Sequence, residues 1–516
     1  MKQKKTENPQ NDRVVDEITE IVFAMVGAVG TDLDLIADKI THHLEEFNYA
    51  TERISISGDI LEKLGSVPLY NTRMQKINSY MSAGNEYRKL TVSNAALANS
   101  VAAEIQSRRI KKLGEIAPLT RHAWIVRSLK HPEELEALRK TYGDGLFVIG
   151  VYTSESRRYQ FLKRQFRDGE DELKAVEKLI KRDADEGPDN GHGQHTRDTF
   201  HLSDFFIELG SDADKLDNDI KRMLDLIFSN PFLTPTFDEY AMYMAFVAST
   251  RSADLSRQVG AVLARNKNII STGANDVPTY GGGLYWPYFD PEDHQIKDVK
   301  GGRDYTRGED PNKKTKLEII NQITEGIKDE EQKKQVINAI KGSRVWDLTE
   351  YGRVVHAEME ALLACGRTNN STIGTSLFCT TFPCHNCAKH IIAAGVERVV
   401  YVEPYPKSRA VEFHNDSIIK GKESSSKHEN KVKFEPFVGV GPRIFLNLFS
   451  NTLGNGKSIS RKNNSGDIVK WMPISATLRL APNIFEYLDA ETATASIAQK
   501  EASEYESKLQ TLKRGE

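Results

Sequence analysis

Cysteine is scarce: the 516 residues contain four, and none precedes Cys365. A disulfide framework is therefore excluded for most of the chain, and a reducing, cytoplasmic setting is expected. Long apolar runs are missing too. No stretch approaches the ~20 residues that cross a bilayer, so no membrane span is predicted. Residues Met1–Arg13 are polar and basic without an apolar segment, which reads as a tail over residues 1–15 and not as a secretion signal. Strong charge of either sign is lacking as well: 70 basic residues stand against 73 acidic ones, a net charge of −3, and such a chain has no overall field to draw it to nucleic acid. What is there, 39% apolar and 28% charged residues, describes a globular protein of two or three domains.

The few cysteines are concentrated where they matter. His356-Ala357-Glu358 is followed by Pro383-Cys384-His385-Asn386-Cys387. A catalytic zinc takes three protein ligands and keeps a fourth position open, and His356, Cys384 and Cys387 meet that requirement. The segment from His356 to Cys365, closed by Gly366, is predicted to be a helix with His356 and Glu358 in its first turn. Glu358 then lies beside the metal and not on it. A second helix is predicted from Cys384, after Pro383, which sets Cys384 and Cys387 one turn apart on one face. The helix N-terminus also favours the thiolate form that binds metal. Zinc acidifies a water from a pKa of about 16 to about 7, and a carboxylate at the position of Glu358 moves the protons in H-x-E…P-C-x-x-C base deaminases. A purely structural zinc closes with four ligands, so it would enlist Cys379 or Cys365. Both read as small core residues, Cys379 in a predicted strand over Ser376–Thr381 and Cys365 at the end of an alanine- and leucine-rich helix.

Beyond the metal motif, Ser252-Ala253-Asp254-Leu255-Ser256-Arg257-Gln258-Val259-Gly260-Ala261 and Val399-Val400-Tyr401-Val402-Glu403-Pro404-Tyr405-Pro406-Lys407 are similar to segments of the deoxycytidylate deaminase branch of the zinc-dependent cytidine deaminase superfamily. The resemblance covers residues from about 240 to 445. It implies a sugar contact at Asn275 and further substrate contacts at Arg251, Arg257, Tyr405 and Lys407. Tyr405 is otherwise a core residue, and Arg257 and Lys407 are otherwise solvated surface charges. The whole chain resembles bacterial anti-phage deoxycytidine nucleotide deaminases, which fuse a P-loop-like domain to a deaminase. That resemblance implies one zinc ion, conversion of dCTP and dCMP to uracil nucleotides, depletion of a precursor of phage replication, and an inhibitory small RNA as partner; the resemblance to deoxycytidylate deaminases implies an oligomer as large as a hexamer. Two other readings remain: a housekeeping dCMP deaminase that supplies dTMP, and a deaminase editing tRNA or single-stranded DNA. The last needs a basic groove with stacking aromatics.

The N-terminal part holds a second constellation. A strand is predicted over Ile18–Val26, a turn over Gly27-Ala28-Val29-Gly30-Thr31-Asp32, and an amphipathic helix over Leu33–Phe47. Strand, glycine loop and helix in that order suit phosphate, so a nucleotide is a candidate ligand. The lysine of G-x-x-x-x-G-K-[ST] is missing, however, since Leu33 or Thr31 falls at its place. Asp32 adds negative charge there, and the domain reads as a degenerate P-loop kinase-like fold. Strands are expected at Ala123–Val126, ending on Arg127, and at Phe147–Tyr152. A basic helix follows over Ser156–Arg164, and Asp183–Asp198 reads as a polar lid whose His192 and His195 are surface histidines.

The expected organisation is α/β throughout. It comprises a kinase-like domain over 16–215, a connecting helix (Leu216–Phe228) and linker over 216–235, and an α/β/α deaminase over 236–455 with an insertion at 280–351. A C-terminal extension over 456–516 ends in a helix that packs on a neighbouring chain.

Overall fold

Strand Glu20–Gly27 (β1), with the sequence EIVFAMVG, is buried along its whole length, as a strand covered by helices on both faces must be. The structure, a computed structural model, describes residues 19–65, 67–165, 170–184, 186, 191–343, 346, 348, 350–405, 408–421 and 430–515. It divides into two units: one runs to Pro235 and resumes at Val438, and the other is Thr236–Phe437.

In the first unit, β1 is joined by Ala50–Ser55 (β2), His122–Arg127 (β3), Leu146–Tyr152 (β4) and Phe205–Glu208 (β5) in the order β5-β4-β1-β3-β2. All four pairings are parallel. The predicted strand, glycine loop and helix are present, the helix spanning Leu33–Glu46 with Asp32 as its N-cap. Two apolar cores cover the two faces of the sheet, one around Phe23, Ile36, Ile149 and Ile220, the other around Val22, Val101, Trp124 and Val148.

The second unit is built on a mixed sheet. Gly260–Arg265 (β6) and Asn268–Ala274 (β7) form a hairpin, and the insertion carries the small ribbon of Tyr288–Asp290 (β8) and Gln295–Lys297 (β9). Ser376–Thr381 (β10), Arg398–Glu403 (β11), Ile418–Lys420 (β12) and Val432–Pro436 (β13) complete the sheet in the order β12-β13-β11-β10-β6-β7. The β10, β11, β13 and β12 neighbours are parallel, whereas β6 runs antiparallel to β10.

The division differs from the expected one in three places. Residues Ala213–Ile227 form no linker: Leu216, Ile220, Met223, Leu224 and Ile227 are buried in the core of the first unit. The boundary after the second unit falls at Val438 and not at 456, because Gly439–Val440 (β14) adds antiparallel to β5, and Ile444, Leu448, Leu478 and Leu480 fill the same core. The last helix, Ile484–Gly515, packs on its own chain, with Tyr487 and Tyr505 buried against the other face of the first unit. Arg109, fully buried, joins it to β1 by ion pairs to Glu491 and Glu20. Of the expected lid, Asp183, Gln194 and Thr196 are buried.

Candidate metal centre and active site

Two helices bring the site together, and each is held by a feature of its own sequence. The helix Ala357–Arg367 lies against β7 at Gly273, where an added Cβ would stand 2.1 Å from Ala357 O and 2.5 Å from Ala361 N. Only glycine permits that approach. The Ser271 hydroxyl fastens the helix further by donating to Ala361 O at 2.7 Å. His356 is the N-cap of this helix, one residue outside the predicted position, and Glu358 sits in its first turn, buried. The second helix, His385–Ala393, begins after Pro383, with Cys384 as N-cap: its sulfur accepts the Cys387 N–H at 3.4 Å.

These caps converge. His356 Nδ1 lies 3.4 Å from Cys384 Sγ and 3.4 Å from Cys387 Sγ. Sulfur at about 2.3 Å and nitrogen at about 2.0 Å from one tetrahedral ion stand roughly 3.5 Å apart, so the three side chains fit zinc. Among the described residues they form the one group able to hold a metal ion. Cys379 is buried on β10 and turned to Val400 O, and Cys365 faces Asn370 O, so neither supplies a fourth ligand. The set of three leaves a position open.

The three side chains and Glu358 shift one another's protonation. The Cys384 thiol is pulled down to about 4, first by the hydrogen bond from Cys387 and then by His356. Cys387 is pushed well up as the donor in that bond. His356 rises to about 9, chiefly through its hydrogen bond to Cys384. Glu358 is raised by burial and then by the charge of Cys384, and it lies within hydrogen-bond reach of Cys387.

The residues expected to meet substrate are largely engaged with the protein. Asn275 accepts the Val259 N–H at 2.6 Å and donates to Arg257 O at 2.8 Å, which leaves its amide one donor and one lone pair. Ser252 donates to Asn275 O at 2.6 Å, and Asp254 accepts the Ser256 and Arg257 N–H groups, so these motif residues shape the loop. Arg257 is exposed, pairs with Glu403 at 2.8 Å and lies over the Tyr405 ring at 5.1 Å. Tyr405 itself packs on the core. Arg251 donates to Tyr285 O at 3.3 Å and stacks on Trp286 with its guanidinium 3.7 Å from the ring centre. Lys407 lies outside the described residues. Glu403 and Trp286 are the partners that sequence reasoning missed. Glu403 was detectable as the end of a strand in register with Thr381, whose hydroxyl it accepts at 3.0 Å.

In the first unit the glycine loop turns as expected, with Thr31 N–H donating to Ala28 O at 3.0 Å and Gly30 at φ +85°. Asp32 spends its carboxylate on the Leu35 N–H as a helix cap, and Arg127 pairs with Asp34. His192 binds Asn94 at 2.7 Å and His195 meets His131 edge-on, and neither belongs to a metal-binding group among the described residues. No described helix is long and apolar enough to cross a membrane.

Residues 235–403 match the family model for the cytidine and deoxycytidylate deaminase zinc-binding region. Deoxycytidylate deaminase of Enterobacteria phage T2 is 28% identical over 168 residues, which is 33% of this chain and 80% of that protein. Deoxycytidylate deaminase of Saccharomyces cerevisiae is 27% identical over 176 residues, 34% of this chain and 40% of that protein. The dCMP deaminase of cyanophage S-TIM5, a solved structure, is 19% identical, with 40% of this chain and all of that one covered at a TM-score of 0.22.

Proposed function

We propose that this protein is a zinc-dependent hydrolase that deaminates free deoxycytidine nucleotides, dCMP and dCTP, to the uracil nucleotides and ammonia. The observation that carries the reading is the open three-ligand set of His356, Cys384 and Cys387 with Glu358 buried against it. A bound zinc supplies a water acidified to about pKa 7. Water adds at C4 of cytosine, and the amino group leaves as ammonia. Glu358 is placed to take the water proton, pass it to the ring nitrogen N3, and assist departure of the amine. Its burial raises its affinity for a proton, as suits a shuttle that must both take and give one. The match of residues 235–403 and the activity named for the phage and yeast relatives support a pyrimidine deoxynucleotide as substrate.

The resemblance of the whole chain supports extension to dCTP, and with it depletion of the nucleotide pool as an antiviral role in the cytoplasm. The same likeness supports an oligomer, a small RNA as inhibitor and a nucleotide at the glycine loop of residues 27–32. The dCMP activity alone would serve dTMP supply instead. The deciding experiment is product analysis of zinc-loaded protein on dC, dCMP, dCTP, CTP and a deoxycytidine oligonucleotide. Release of ammonia from dCMP or dCTP is expected. Inert mononucleotides with a deaminated oligonucleotide would replace the reading by polynucleotide editing.

A further inference from the structure

Asp183 closes the helix Glu170–Ala184, and its carboxylate is fully buried. One oxygen accepts the backbone N–H of Val29 in the glycine loop at 2.7 Å. The other accepts the Lys130 ammonium, also at 2.7 Å. Lys130 is tied to the same loop, donating to Gly27 O at 2.8 Å, and Arg158 donates to Val29 O at 3.3 Å. Nearby in the topology, the Thr153 hydroxyl is buried and has no hydrogen-bond partner among the described residues, with the residue only 8% exposed.

Gly27 ends β1, Lys130 follows β3, and Thr153 follows β4, and these strands are parallel neighbours. All three residues therefore gather at the carboxyl edge of the sheet, where open α/β folds bind their ligands. A backbone N–H on a glycine turn together with a lysine ammonium is the donor set that receives phosphate oxygens. Lys130 supplies from the loop after β3 the charge that neither Thr31 nor Leu33 supplies in the linear motif.

The geometry points to a phosphate seat that is filled from within: the Asp183 carboxylate occupies the place of a phosphate group, and a phosphate-bearing ligand binds by displacing it. This rests on the nucleotide-binding reading of residues 27–32 and adds a built-in competitor to it. The two oxygens of Asp183 make the bonds that two phosphate oxygens would make, and a carboxylate left in place would repel the incoming anion. Entry of the ligand thus withdraws the end of the helix Glu170–Ala184 from the loop.

The test is calorimetric titration of the full-length, zinc-loaded protein with ATP and, separately, with inorganic phosphate. ATP has no cytosine and so does not serve as a substrate of the proposed deaminase. Asp183→Asn is expected to bind ATP about tenfold or more tightly than the natural chain, since a charge-assisted contact and a like charge are both removed. Lys130→Met added to Asp183→Asn is expected to abolish the gain. A matching gain for phosphate alone assigns the seat to the phosphate group itself, and a gain confined to ATP assigns it to a nucleoside triphosphate. Measurable ATP binding that is equal within twofold in the natural chain and the Asp183→Asn variant overturns the internal competitor and leaves the nucleotide reading standing. No binding of ATP to either chain at millimolar concentration overturns both. Amide hydrogen exchange on the natural protein provides a measurement free of any folding defect: ATP is expected to speed exchange at the end of Glu170–Ala184, and unchanged exchange with ATP bound refutes displacement.

Discussion

Replacing Gly273 by alanine tests whether the close approach of helix and sheet sets the catalytic geometry. The new Cβ would lie 2.1 Å from Ala357 O and 2.5 Å from Ala361 N, and both are backbone atoms of the helix that carries Glu358, so no rotamer change relieves the clash. Bringing the nearer contact to an acceptable distance requires the helix to retreat by roughly 1 Å. Overpacking of that kind costs about 1–3 kcal/mol. Its larger effect falls on the chemistry, because His356 and Glu358 ride on the displaced turn and a 1 Å misplacement costs about 10² in rate. The expected result is a folded protein with weakened zinc retention and kcat on dCMP lowered about 100-fold, read by steady-state ammonia release, metal analysis and a melting curve. Gly260→Ala is the matched control. Its Cβ would stand 1.9 Å from Ala245 O, on the helix Phe237–Ser249, which holds none of the metal ligands. It should cost similar stability and a smaller share of kcat. Wild-type melting with kcat within twofold for Gly273→Ala would refute the argument.

Glu358→Gln should keep its zinc by atomic absorption while kcat falls by about 10²–10⁴, the usual worth of a proton shuttle; loss of the metal would make Glu358 a ligand instead. Zinc binding at pH 7 should release about two protons, one from Cys387, whose thiol is held protonated, and one from His356, whose pKa of about 9 leaves it charged, whereas Cys384 at about 4 is already ionised. Calorimetry in buffers of different ionisation enthalpy measures that number, and affinity should fall as the pH is lowered because protons compete for the ligands. Arg109→Met should destabilise the first unit by about 3–5 kcal/mol, since it leaves Glu20 and Glu491 buried without their cation. Urea unfolding reads this, and a further Glu491→Gln change should recover part of the loss; a variant as stable as the natural chain would show the pair to be dispensable.

The chain's local features were legible wherever chemistry or periodicity acts over a few residues. The motif His356-Ala357-Glu358 with Pro383-Cys384-His385-Asn386-Cys387 announced three side chains able to share a metal because cap positions and one helical turn dictate where those side chains point. The runs at Ile18–Val26, Ala123–Val126 and Phe147–Tyr152 announced strands for a similar reason, and these lie within or beside Glu20–Gly27, His122–Arg127 and Leu146–Tyr152 of the parallel sheet. Boundaries and partners were less legible. Arg257 looks the same in sequence whether it faces solvent, a phosphate or Glu403, since the choice depends on a strand 146 residues away.

Sequence by itself determined the ligand chemistry, the α/β character of both parts and the presence of a glycine loop without its lysine. Tertiary structure alone decided that residues from Val438 onward return to complete the first unit, that Asn275 is clasped by Val259 and Arg257, and that Lys130 and Asp183 meet at the glycine loop. The physical reason is range. Capping, helical spacing and ligand type act between neighbours in the chain, whereas burial and ion pairing are settled between segments tens to hundreds of residues apart, which become neighbours only once the sheets have formed.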